Sequence, residues 1–146
     1  MKKHPVSTLV LIAYSAILIK VMVFREIPVI RIGHLMLKFG GSDANGQSNF
    51  VPFKTIWPYL LGRSGWLIAS ANIIGNIALL IPFGFLAASV YRNMTFKKCL
   101  VLAVLVPVAI EGVQVVLKTG IFDIDDVILN GLGVVIGYFI FKAFAR

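Results

Sequence analysis

An all-helical integral membrane bundle of four transmembrane helices is the fold class this sequence predicts, and three observations predict it. Of 146 residues, 59% are hydrophobic and only 14% charged, against about 45–50% apolar and 25% charged in soluble domains. Mean hydropathy is +0.93. Four apolar runs are each long enough to cross a hydrocarbon core of about 30 Å at 1.5 Å per residue. Such a composition disfavours disordered chains and small soluble enzymes. The net charge of +8 does not imply nucleic acid as a partner, because cations of a membrane protein gather in cytoplasmic loops and beside anionic headgroups. Cys99 is the one cysteine, so no internal disulfide can form, and no Cys/His set has zinc spacing. No metal and no cofactor are expected.

The first run, 6–24, follows Lys2 and Lys3. It is longer than the hydrophobic region of a signal peptide and is read as a retained anchor. The second, 66–91, begins at Trp66, ends at Tyr91 and contains Pro82 and Gly84, the expected place for a kink. The third, 99–117, contains Glu111, and the fourth, 127–145, has Lys142 near enough to its end to snorkel. Ala71 with Gly75 on the second run, and Gly133 with Gly137 as GxxxG on the fourth, predict close helix packing. The whole chain, 1–146, reads as one domain with both termini on one side. The link 92–98 concentrates Arg92, Lys97 and Lys98, which predicts that this link and both termini are cytoplasmic.

The link 25–65 is too long for a simple turn and is expected to be extracytoplasmic. Ile27 to Phe39 is apolar but too short to span, so an interfacial helix or a short hairpin is expected. Gly40 to Asn49 is a turn-rich tip. Phe50 to Gly62 carries Trp57 and Tyr59, which suit the headgroup belt.

The polar residues inside the runs are the candidates for a site. Asn72 and Asn76 share one helix face, Glu111 and Gln114 a second, and Asp126 and Asn130 a third. On the helical rise Asn72 and Glu111 lie about 9 Å from the same bilayer edge, Asn76 about 15 Å and Asn130 about 5 Å. Asp123, Asp125 and Asp126 occupy the loop at that edge. A charged side chain at mid-bilayer costs about 2.5–3.5 kcal/mol on insertion scales, so Glu111 is expected to be protonated, hydrogen-bonded or facing water. Asn72, Asn76 and Gln114 are its natural donors. Neutral amides alone would be explained as interhelical bonds worth about 0.6 kcal/mol each. The addition of four carboxylates favours a polar cavity that binds something. As a plain alternative, Asp125 or Asp126 would cap the fourth helix, with Asp123 further out.

Three blocks in order resemble the VanZ-like family of small bacterial membrane proteins: NFVPFKTI at 49–56, NIIGNIALLIPFGF at 72–85 and EGVQVVLKTGIFDIDDVILNGLGVVIGY at 111–138. Lys118 stands where members often carry arginine. The family takes its name from accessory proteins associated with resistance to the glycopeptide antibiotic teicoplanin. Carried over by position, the resemblance implies Asn72, Asn76, Glu111, Gln114, Asp123, Asp125, Asp126 and Asn130 as motif residues, the set that burial cost and depth also select.

Three functions compete at this point. The first is an accessory protein of the bacterial cell membrane whose outward cavity binds a membrane lipid, a lipid-linked cell-wall precursor or a lipophilic glycopeptide. The second is an intramembrane enzyme on such a lipid, with Glu111 as candidate general acid and the three aspartates holding a divalent cation. It lacks a recognisable nucleophile motif. The third is a small transporter, for which polar groups reach only half of the bilayer.

Overall fold

A computed structural model describes residues 5–24, 30–32, 35–37, 46–61, 66–91 and 93–145. Its helices are α1 (Pro5–Val23), the short α2 (Ile56–Leu60), α3 (Trp66–Val90), α4 (Phe96–Val116) and α5 (Ile124–Phe144). Four segments are long and apolar enough to cross a membrane: Pro5–Val23, Asn72–Val90, Phe96–Val116 and Ile124–Phe144. Between α1 and α2, β1 (Ile30–Ile32) pairs antiparallel with β2 (Leu35–Leu37), Arg31 opposite Met36. Of the two conformations expected for this apolar stretch, the short hairpin is the one formed.

The helices present apolar side chains outward as well as inward. Val6 and Leu9 on α1, and Val101, Val104 and Leu105 on α4, are more than half exposed. In water such a surface would drive aggregation; hydrocarbon accommodates it without penalty. What holds the helices together is therefore close packing rather than water exclusion. The inner layer is α3, α4 and α5, with Leu80, Cys99, Ala103, Ile110 and Val134 in the core. α1 lies against α3 and α4, where Tyr14 donates from its hydroxyl to Leu79 O at 2.7 Å.

Glycines set the α3–α5 seam. A Cβ at Gly133 would lie 2.3 Å from Ile77 O, and one at Gly137 would lie 2.1 Å from Ile81 O, so each carbonyl rests on a bare Cα. The regular offset means that α3 and α5 run parallel and in direct contact, and α4, which returns the chain antiparallel, packs on α5. Pro107 sits inside α4 and has no N–H to give Ala103 O. That freed carbonyl faces Gly131, where a Cβ would come within 2.5 Å. α3 continues through Pro82 to Val90, and Gly84 just beyond meets Val134 O at 2.2 Å from its Cβ position. The Pro-Phe-Gly sequence is thus a packing contact with α5.

Candidate functional site

The polar residues collect where α4 ends and α5 begins, and a strap from the long link docks onto them. α4 stops at Leu117, and Lys118 turns the chain with φ 56°. Residues 49 and 123 then form an isolated parallel bridge: Asn49 N donates to Phe122 O at 2.7 Å, and Ile124 N donates to Asn49 O at 2.9 Å. Phe50 stacks on Phe122 with ring centroids 5.1 Å apart.

Asp123 is the N-cap of α5, its carboxylate accepting from Asp125 N. This corrects the expectation that Asp125 or Asp126 caps the helix and that Asp123 stands apart from it. Asp123 Oδ1 also accepts from Asn49 Nδ2 at 2.9 Å, and Oδ2 from Thr55 Oγ1 at 2.8 Å. Its own N–H donates to Glu111 Oε2 at 2.9 Å. Glu111 is 1% exposed, so a carboxylate that the bilayer would penalise is instead placed as an acceptor at the end of α4.

Asp125 acts on the strap. Oδ1 accepts from Phe53 N, and Oδ2 from Thr55 N at 2.7 Å and Ile56 N at 3.1 Å. These are main-chain donors at the start of α2, which its own short helix cannot satisfy. Phe53 has φ 66°, a left-handed conformation that costs a non-glycine residue about 1–2 kcal/mol. The carboxylate holds that conformation, and the Phe53 ring is left 58% exposed. Phe50, Val51 and Trp57 are exposed around it.

A second pair lies on the α3–α5 side. Asn76 Nδ2 donates to Asp126 Oδ1 at 2.7 Å, and half-buried Asn72 stands one turn nearer the bundle end. One turn deeper on α5, Asn130 is 0% exposed and neither of its amide atoms has a partner among the described residues. Gln114 turns to α1, donating from Nε2 to Met22 O at 3.0 Å, while its Oε1 has no partner. An unmade bond on a buried polar atom costs about 1–3 kcal/mol, so Asn130 and Gln114 keep unused hydrogen-bonding capacity inside the bundle. Glu111 is thus joined to Asp123, while Asn76 joins Asp126 and Gln114 reaches α1.

The aspartates do not form a cation cage. The oxygens of Asp123 and Asp125 are occupied by N–H and O–H donors, and among the described residues no group of three His, Cys, Asp or Glu side chains could hold a metal ion. Asn49 and Thr55 were missed as site residues by sequence reasoning. Their signal was present in the NFVPFKTI block, where two small polar residues bracket the segment Phe50 to Lys54.

No curated protein and no solved structure gives a match to this chain. The VanZ/LLP1 family model matches residues 11–145. With four membrane-capable helices and a family match that covers nearly the whole chain, the chain is a membrane protein that belongs to the VanZ/LLP1 family.

Proposed function

We propose that this is an accessory protein of the bacterial cell envelope that binds a lipid-linked cell-wall component or a lipophilic glycopeptide at the outer face of the membrane, both termini being cytoplasmic. The observation that carries the reading is the strap: a buried carboxylate fixes a costly backbone conformation whose result is an aromatic ring facing outward. Strain held at one point by surrounding structure is a mark of functional presentation. Phe50, Phe53 and Trp57 give a lipid tail an apolar rim, and exposed Lys54 gives a phosphate its counter-charge. Asn72, Asn76 and Asp126 lie on the neighbouring helix face, suited to sugar or peptide groups. Asn130 and Gln114 hold hydrogen-bonding capacity deeper in the bundle.

In this reading Glu111, Asp123 and Asp125 build the site, whereas the strap's side chains and the Asn76–Asp126 pair meet the ligand. The test is a lipid-resolved mass spectrum of the purified protein, comparing wild type with Phe53→Gly and Asn76→Ala. Glycine accepts the left-handed backbone without penalty, so Phe53→Gly keeps the strap in place and removes only the ring. One envelope lipid enriched over bulk membrane in wild type and depleted in both variants is the expected result. Identical lipid profiles in all three proteins would overturn the reading.

A further inference from the structure

The end of the bundle away from the strap holds a cavity of about 840 Å³, bounded by the start of α1, the ends of α3 and α5 and the start of α4. Its wall is aromatic: Phe85, Phe96, Tyr138 and Phe141. Phe85 meets Phe141 edge to face at 5.6 Å, and Phe96 lies 6.3 Å from Tyr138, so the rings line the cavity as two aromatic groups. Three polar residues line the same space, Ser7, Ser89 and Lys142. Lys142 Nζ sits 5.5 Å from the Tyr138 ring centroid and is half-buried. Tyr138 turns its own hydroxyl away, donating to Met94 O at 3.4 Å.

Charge decides what such a cavity accepts. All six acids of the chain, Glu26, Asp43, Glu111, Asp123, Asp125 and Asp126, belong by chain position to the opposite end or the link that leads from it. Exposed Lys97 and Lys98 open α4 beside the cavity. Among the described residues no carboxylate side chain accompanies this half-buried ammonium and its two hydroxyls, and an aromatic face compensates such a charge only weakly. The volume lies within the range of small-molecule sites, about 300–1,000 Å³. At a bilayer edge, the abundant molecule that brings both a negative group and a hydrocarbon chain is a phospholipid.

We propose that this cavity is a binding site for an anionic phospholipid, with Lys142, Ser7 and Ser89 at its phosphate and the aromatic wall along its first acyl carbons. The proposal does not depend on the strap site or on which way the protein faces.

The experiment reconstitutes the full chain in vesicles of phosphatidylglycerol and phosphatidylcholine at equal mole fraction and counts retained lipids by native mass spectrometry. One basic group near the surface gives about fivefold preference for the anionic lipid, so wild type is expected to retain phosphatidylglycerol by at least that ratio. Lys142→Gln should lower the ratio by about fivefold or more, Lys142→Arg should keep it, and Lys97→Gln, an exposed cation outside the cavity, should lower it clearly less than Lys142→Gln does. Comparing Arg with Gln at one position separates loss of binding from loss of fold. Equal preference in wild type and Lys142→Gln would overturn the proposal. So would an equal loss from Lys97→Gln, since that reports surface charge and not a site.

Discussion

Asp125 is 0% exposed and has two carboxylate oxygens, both given to main-chain donors of residues 53, 55 and 56. An asparagine at this position offers one oxygen and one NH₂ group. In either amide orientation at least one backbone N–H faces another donor, at a cost of about 1–3 kcal/mol. If the residue were only a helix cap, Asn would replace Asp with little loss. Asp125→Asn is therefore expected to loosen the strap while leaving the helices inserted. Lys54 is exposed within the strap, and trypsin cuts after lysine, so the rate of cleavage after Lys54 reads the opening directly. An acceleration of about tenfold or more is expected from a change of that size. Unchanged cleavage would show that the three bonds do not hold the strap. Asp123→Asn should also weaken the strap, because Asp123 takes the side chains of both Asn49 and Thr55.

At the scale of elements, the seams between helices are carried by glycines whose roles differ sharply. Gly133→Ala places a methyl 2.3 Å from Ile77 O and 2.9 Å from Leu80 Cβ. The backbone carbonyl cannot step aside without separating α3 from α5, and overpacking of this kind costs about 1–3 kcal/mol or more. Gly112→Ala meets nothing within 4 Å and gains helix propensity of up to about 1 kcal/mol. Thermal unfolding in one detergent should lower the midpoint for Gly133→Ala and leave that of Gly112→Ala unchanged or raised. The four long helices were legible in the sequence, because a bilayer demands long apolar runs and the Gly133–Gly137 spacing marks a close seam. The residues at the end of α4 were legible as a polar cluster for the same reason. Their pairing was not. The partners of Asp125 are main-chain N–H groups of the strap, which every residue but proline carries and no letter distinguishes. The N-cap role of Asp123 depends on where α5 begins, and three aspartates within four residues leave that start undetermined.

At the scale of the whole molecule, four crossings place the strap and the link between α3 and α4 on opposite sides of the membrane, and this can be tested apart from any ligand. Ser48 beside the strap and Asn93 between α3 and α4 are both exposed. The native Cys99 is 0% exposed in the core, so an introduced cysteine is expected to give the only signal with a maleimide that cannot cross membranes. Asp125 is buried and would not report its side, whereas Ser48 lies just before the segment that Asp123 and Asp125 anchor. In intact cells Ser48→Cys should label and Asn93→Cys should stay dark, then react once the membrane is permeabilised. The direction rests on Arg92, Lys97 and Lys98, whose density in a short link favours the cytoplasm. Labelling of both sites from one side would break the four-span arrangement itself. A reversed pattern would keep the arrangement and turn the strap toward the cytoplasm. There, Phe53 and Lys54 could not meet a cell-wall precursor or an antibiotic arriving from outside, and the proposed envelope function would fall while the phospholipid cavity at the other end stood.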